Sequence, residues 1–301
     1  MNINLLYLYQ SKNINDIIDF YKHFDSKKEL IRWLTNLRKD EPKLFVLNGE
    51  MDEYNVVVPT KTLNRKIIKR LKKQFTHCRI ILCVCSSKYF NYAHSVNRGI
   101  QMALKHKNCK WIIIASDDLS SLDPINKLNN ELKYIDDKKI GLVFPKYVSK
   151  HHFVQFMKYR WHTRFLLRLL SKNDVLNFYI LRKKFNITYI PTARENLIMD
   201  LKRKLLYKPV GRQFLNIGDF AIFSARFLKR KYLFDETFLN NEEDIDVSTR
   251  INLYRTQNIN FTVNCGVGGK SLGNDEIRAL RAIATQTYLN EKLRIENRRL
   301  K

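Results

Sequence analysis

A chain of 301 residues with 45% apolar residues and only 9 glycines is long enough to bury a sizeable core, which excludes a disulfide-stapled miniprotein, a fibrous repeat and a disordered chain. Its 55 Lys and Arg against 29 Asp and Glu give a formal net charge of +26, a self-repulsion that opposes compaction and attracts polyanions or anionic head groups. The five cysteines, Cys78, Cys83, Cys85, Cys109 and Cys265, are odd in number and lack zinc-ligand spacing, so they read as reduced core residues.

The opening residues Met1 to Gln10 carry no basic leader, and no window approaches the ~18 apolar residues of a membrane span; the expected compartment is the cytoplasm. Residues 1–50 read as a helical accessory segment, with apolar residues at helical spacing over Ile14 to Phe24 and Lys27 to Leu37 and a break at Glu41-Pro42. From residue 51 to 150 the texture changes. Short β-branched runs alternate with helical ones: Val56-Val57-Val58, Ile67 to Phe75, Arg79 to Cys85, Val96 to Leu104 and Trp111 to Ala115. This rhythm predicts an α/β fold with a mostly parallel central sheet flanked by helices.

Residues 151–212 interrupt the alternation with 14 Lys and Arg against three acids. Phe153, Met157, Trp161, Phe165 and Leu169 recur every four residues while Lys158, Arg164 and Arg168 fall elsewhere, the pattern of a basic amphipathic helix. Such a helix either packs on the core with a solvated basic face or docks on a membrane surface or acceptor. The α/β texture resumes over 213–273, with Asn216 to Phe223 as its first run, and 274–301 reads as a C-terminal amphipathic helix.

Two constellations carry chemistry. The apolar run Trp111 to Ala115 ends in Ser116-Asp117-Asp118, and acids at the carboxyl end of a parallel strand can reach a bound diphosphate through a hard divalent cation; a turn residue or helix cap would look the same. The stretch Phe234 to Asp246 is dense in acids and amides within lysine-rich sequence. Crowded carboxylates cost stability unless a metal, a basic partner or catalysis uses them, although an exposed loop capping a helix is the plainer account. Asp244, Val247 and Ile251 share helical spacing, which places Asp244 near a helix start.

In order along the chain, Val56-Val57-Val58-Pro59-Thr60, Asn91 to Ile100, Ser116-Asp117-Asp118, Phe234-Asp235-Glu236, Glu243-Asp244-Ile245-Asp246 with Arg250, and Gly268-Gly269-Lys270-Ser271 resemble the motifs of family 2 glycosyltransferases with the GT-A fold, in their rhamnosyltransferase-like branch. The resemblance covers about residues 55–150 and 214–273 and implies an inverting sugar transfer from a nucleotide-sugar donor to a glycan, lipid-linked or protein acceptor, with manganese or magnesium as cofactor; the basic residues Lys158, Arg160, Arg164 and Arg168, with Trp161, point to an anionic membrane surface as a further partner. It assigns Asp118, with Asp117, to the metal, and Pro59, Thr60, Asn97, Gly99, Asp117 and Lys270 to the donor. Asp244 is then the general base, and Glu243 and Asp246 orient that base or the acceptor. The chain departs from the pattern at Ser116, which replaces an acid of the metal motif, at Cys85-Ser86-Ser87, where an acid contacting the nucleobase is usual, and near Gly266-Val267-Gly268, where a metal-ligating His is missing. A nucleic-acid-binding protein using the basic surface is the alternative, but it leaves the acidic stretch without a role. A sugar nucleotidyltransferase is the other, but Val58 to Thr62 lacks the glycine-rich phosphate loop of that class.

Overall fold

The structure, a computed structural model, describes residues 4–147, 153–159, 162, 207–215, 220–229, 233–251, 255–265 and 275–299. In chain order the elements are α1 (Leu5–Gln10), α2 (Ile14–Lys22), α3 (Lys27–Asn36), β1 (Lys43–Leu47), β2 (Met51–Thr60), α4 (Arg65–Gln74), β3 (Cys78–Val84), α5 (Tyr92–Leu104), β4 (Trp111–Ala115), β5 (Leu119–Leu122) and α6 (Ile125–Leu132). Then follow β6 (Leu142–Tyr147), β7 (Phe153–Tyr159), β8 (Tyr207–Leu215), β9 (Phe220–Ser224), α7 (Ala225–Lys229), α8 (Glu243–Arg250), β10 (Thr256–Cys265) and α9 (Asp275–Arg299). They form two compact units, each assembled from separated stretches of chain. Among the described residues no helix is long and apolar enough to cross a membrane.

The first unit holds α1–α3 and α9. Its helices start where side chains satisfy orphan amides: Asn13 accepts from the Asn15 N–H at 3.0 Å, and Ser26 from that of Glu29 at 3.3 Å, while the Glu29 carboxylate accepts from the Asp25 N–H at 2.9 Å. Phe20, fully buried, meets Tyr9, Phe24 and Trp33 with ring centroids 5.2, 5.0 and 4.9 Å away. The C-terminal helix packs on α2 and α3. Tyr21 donates to the Leu280 carbonyl at 2.5 Å and accepts from the Ala284 N–H at 3.2 Å, and burial pushes its phenol well above the usual range. Arg281 closes the end of α1 by donating to the carbonyls of Tyr9, Gln10 and Ser11. Within the same unit β7 and β8 pair as a two-stranded sheet. This corrects the helix expected to begin at Phe153: a four-residue spacing is also an even one, so Phe153 and Met157 share a face in a strand as readily as in a helix. Trp161, Phe165 and Leu169 lie outside the described residues.

The second unit is a mixed α/β layer structure around one eight-stranded sheet in the order β1-β3-β2-β4-β9-β6-β10-β5. The expected mostly parallel sheet is corrected: three pairings are parallel (β2·β3, β2·β4, β6·β10) and four antiparallel. Strand-helix alternation forces parallel pairing only where a helix crosses between neighbouring strands, which holds from β2 to β4. Later strands enter through connections that leave their direction open, and β9 runs against both β4 and β6. Residues 43–47, grouped by their sequence with the helical segment, add the edge strand β1 against β3.

Helices cover both faces of the sheet. Leu71 of α4 and Leu128 of α6 pack on the face that presents Val56 and Val58, while Val96 and Ile100 of α5 and Val247 of α8 pack on the face that presents Val57 and Cys83. The close approach of α5 depends on Gly99, where an added Cβ would lie 2.3 Å from Val57 Cγ1 and 2.6 Å from Cys83 Sγ. Ala is worth about 1 kcal/mol more than Gly in a helix interior, less than the roughly 1–3 kcal/mol of overpacking, so the clash decides the sign. Gly99→Ala is therefore expected to lower the midpoint of chemical denaturation, and an unchanged or raised midpoint would show that α5 can shift away from the sheet at no cost.

Candidate active site

The path of the chain through β2, β3 and β4 creates a crevice. The connection β2-α4-β3 runs to one side of β2 over one face of the sheet; the connection β3-α5-β4 returns across β2 over the other face. At the carboxyl ends of β2 and β4 the two crossings therefore diverge, the place where open α/β sheets bind ligands. The pairing of β2 with β4 stops at Val57 opposite Ile114, whereas that with β3 continues to Thr60. Pro59, which has no N–H to give, sits beyond the last β4 pairing, and its neighbour Thr60 faces the gap.

Across that gap the buried Thr60 hydroxyl lies 2.5 Å from Asp117 Oδ2. Ser116 donates its hydroxyl to Asp118 Oδ1, and Arg70 of α4 donates to the Asp117 carbonyl. The strand-end sequence thus becomes two successive carboxylates, each accepting from a neighbouring hydroxyl, with Asp118 Oδ2 lacking a hydrogen bond among the described residues. Among those residues no group of three or more His, Cys, Asp or Glu side chains is gathered to hold a metal ion alone. Two carboxylates with adjacent hydroxyls are hard oxygen donors, and they fit Mg²⁺ or Mn²⁺ of the kind that shares its shell with substrate phosphates and water rather than occupying an all-protein cage.

A second group clamps the acidic loop onto α5. Asn97 is spent on structure: its amide donates to the Phe234 carbonyl and to Glu236 Oε1, both at 2.8 Å, and its oxygen accepts from the Phe234 N–H at 2.9 Å. Asn91 donates to the carbonyls of Glu236 and Phe238 at 3.1 and 2.8 Å, and Asn240 accepts from the Tyr92 N–H at 2.6 Å. His94, nearly buried, contacts Glu236 Oε2 at 2.8 Å through Nδ1, and its Nε2 lies 3.3 Å from Glu41 Oε1. Arg98 completes the group with a two-pronged bond to Glu41 at 2.6 and 2.8 Å.

The loop from β3 to α5 links these groups. The Cys85 N–H donates to the Thr60 carbonyl at 3.0 Å; the Phe90 ring carries the Lys61 ammonium 5.5 Å from its centroid, and the Phe90 carbonyl accepts from Asn240 at 3.2 Å. Asp40 reaches the same loop. Ser87 donates to its carboxylate at 2.5 Å and Arg38 at 2.8 Å, and these two bonds, Ser87 first, hold Asp40 below the usual carboxylate range.

The third group opens α8. Left-handed backbone at Asn240 (φ 58°) and Glu242 (φ 70°) turns the chain into the helix, a conformation that non-glycine residues keep only when their surroundings over-determine it. Asp246, buried, pairs with Arg250 at 3.0 Å, and Arg250 also donates to the Leu233 carbonyl at 2.6 Å. Glu243 is buried with its Oε2 unpartnered; burial, and then the neighbouring charges of Asp244 and Glu242, push its carboxyl up to about 8. Asp244 is half-buried on the same turn.

The structure therefore joins Thr60 with Asp117, places Asp118 beside them, and groups Glu243, Asp244 and Asp246 on one helical turn. Gly99 lies under the sheet as a packing residue, and Lys270 falls outside the described residues. Arg70, His94, Glu41 and Asp40 were not legible as site residues, because each is brought in by a partner far away in sequence. Compared with protein families and with curated proteins, the sequence shows no significant match.

Glu243 imposes a pH dependence with a definite sign. Its carboxyl holds its proton up to about 8 in the fold but only to its ordinary 4.5 when unfolded, so the folded state binds the extra proton between those values and loses stability as pH rises through them. Glu243→Gln is expected to flatten that slope and to be more stable than wild type at about pH 8, by as much as several kcal/mol at about 1.4 kcal/mol per unit. Urea midpoints of both proteins at about pH 5 and about pH 8 provide the check; parallel slopes would mean that the carboxyl is ionised in the fold.

Proposed function

We propose that the protein is an inverting glycosyltransferase of GT-A type that takes a sugar from a nucleotide-sugar donor. The observation that carries this reading is the meeting of Thr60 with Asp117, beside Asp118, at the switch point of the parallel strands, where a nucleoside diphosphate would find hydroxyl, carboxylate and the guanidinium of Arg70 together. Asp117 and Asp118 would hold the manganese or magnesium, which when bound neutralises charge growing on the departing diphosphate. Pro59 and Thr60 line the nucleoside side. Asp40, fixed against Ser87 at the end of β3, supplies from elsewhere in the chain the acid that Cys85-Ser86-Ser87 lacks, within reach of a base on that side.

For the transfer, an acceptor hydroxyl forms the new bond to the anomeric carbon from the face opposite the donor as the bond from that carbon to the diphosphate oxygen breaks. Asp244 takes the hydroxyl proton. Its neighbours divide the remaining work. Asp246 is committed to Arg250 and fixes the helix start, and Glu243, which keeps its proton at neutral pH, donates a hydrogen bond rather than competing as a base. Asn97 and Gly99 support the site from α5. A glycan, lipid-linked or protein-bound acceptor fits the basic surface.

The donor site is tested by thermal shift with UDP-, GDP- and dTDP-sugars, with and without manganese. One nucleotide is expected to raise the melting temperature in a metal-dependent way in wild type and not in Asp118→Asn, whereas silence with every nucleotide alongside tight, salt-sensitive binding to nucleic acid would transfer the reading to a nucleic-acid-binding protein. Asp244→Asn should retain the shift and lose turnover by about 10²–10⁴-fold.

A further inference from the structure

The helix α4 has an unusually one-sided charge distribution. At 3.6 residues per turn, Arg65, Lys66, Lys69, Lys72 and Lys73 fall within an arc of about 120°, and all five are exposed. Ile67, Ile68 and Leu71 occupy the opposite side and pack on the sheet; Arg70 and Gln74, at the border, reach the carbonyls of Asp117, Leu119 and Ser120. The helix contains no acid, and among the described residues none of its five exposed cations makes an ion pair. Unlike Lys22, Lys110 or Lys127, each of which has a carboxylate within 2.8 Å, the α4 cations leave their repulsion uncompensated within the fold. Such a face is stabilised by an external anion.

We propose that this face of α4 docks the protein on a bilayer carrying anionic lipid head groups. Four of its five cations are lysines, compact point charges on flexible stems that suit dispersed and laterally mobile phosphates, without the planar fork that reads a base edge in two bonds. No aromatic side chain is exposed among them to stack a base, since Phe75 at the helix end is buried. The stripe begins at Arg65, just past Thr60, and Arg70 of the same helix holds Asp117, so a surface bound along α4 presents its head groups beside the crevice. The inference stands on the charge geometry of α4 and does not require the chemistry proposed for the crevice.

The test is co-sedimentation of the full chain with vesicles of equimolar phosphatidylglycerol and phosphatidylcholine at low salt. Wild type is compared with Lys69→Gln/Lys72→Gln/Lys73→Gln and with a control of equal charge loss, Lys105→Gln/Lys107→Gln/Lys138→Gln, whose exposed sites lie off α4, just after α5 and between α6 and β6. Each lysine near an anionic surface contributes about fivefold, so the α4 variant is expected to bind about a hundredfold more weakly while the control stays near wild type. Equal weakening of both variants, retention by the α4 variant, or no sedimentation of wild type would overturn the proposal. So would duplex DNA that binds wild type more tightly than the vesicles and is lost by the α4 variant, which would assign the stripe to nucleic acid. Because the readout is sedimentation and not transfer, its failure is distinct from failure of the nucleotide-sugar screen.

Discussion

The second unit depends on the need to bury β2 on both of its faces. Val56, Val57 and Val58 are fully buried, with Val57 turned to α5 and its two neighbours to α4. A strand apolar on both sides requires a cover on both sides, and right-handed crossings supply it only if the connection after β2 and the one after β3 leave in opposite directions. The crevice at the carboxyl ends is a consequence of that constraint. Where the two crossings part, the polar residues Thr60 and Asp117 meet at the strand ends, joined by a hydrogen bond. Gly99 belongs to the same constraint, because α5 cannot cover Val57 and Cys83 if a side chain intervenes.

Burial of acids is the second organising cost. Three carboxyls in the first turn of α8 are favoured by the helix dipole and opposed by one another and by desolvation, and the structure resolves the conflict differently at each. Asp246 is paired with Arg250, Asp244 stays half-exposed, and Glu243, buried without a cation beside it among the described residues, is pushed up to about 8 by its burial. The loop that delivers this turn is held by Asn91, Asn97 and His94 on one helix, so the position of the acids is set by α5, the element that also covers β2. Loop, helix and strand end therefore form one mechanical unit although the residues concerned span positions 60 to 246.

Much of this was legible in the residues. The helices α2, α3 and α4, the strands β2, β3 and β4, and the acids at the end of β4 follow from the apolar period, to which the structure adds caps at Asn64 and Asn91, whose side chains accept from the amides three residues on. The limits were also physical. Period alone does not give strand direction, which is why a sheet with more antiparallel than parallel pairings looked mostly parallel, and a spacing of four does not separate helix from strand at Phe153 to Tyr159. Long-range polar pairs were the other blind spot. Asp40 beside Ser87 and His94 between Glu236 and Glu41 are joined across dozens of residues, with no local pattern to betray them.

The charge balance ties these features together. A net charge of +26 would be a uniform burden if the cations were spread evenly, yet on α4 they line one face with no acid among them, while acids concentrate at Glu236 and at the start of α8. Segregation of this kind raises the local potential well above what the net charge implies, so an anionic ligand is drawn to the basic face. The sheet makes this possible: because α4 and α5 lie on opposite faces of β2, the basic face of one and the acid-bearing loop clamped by the other are kept on different layers, and their charges do not cancel.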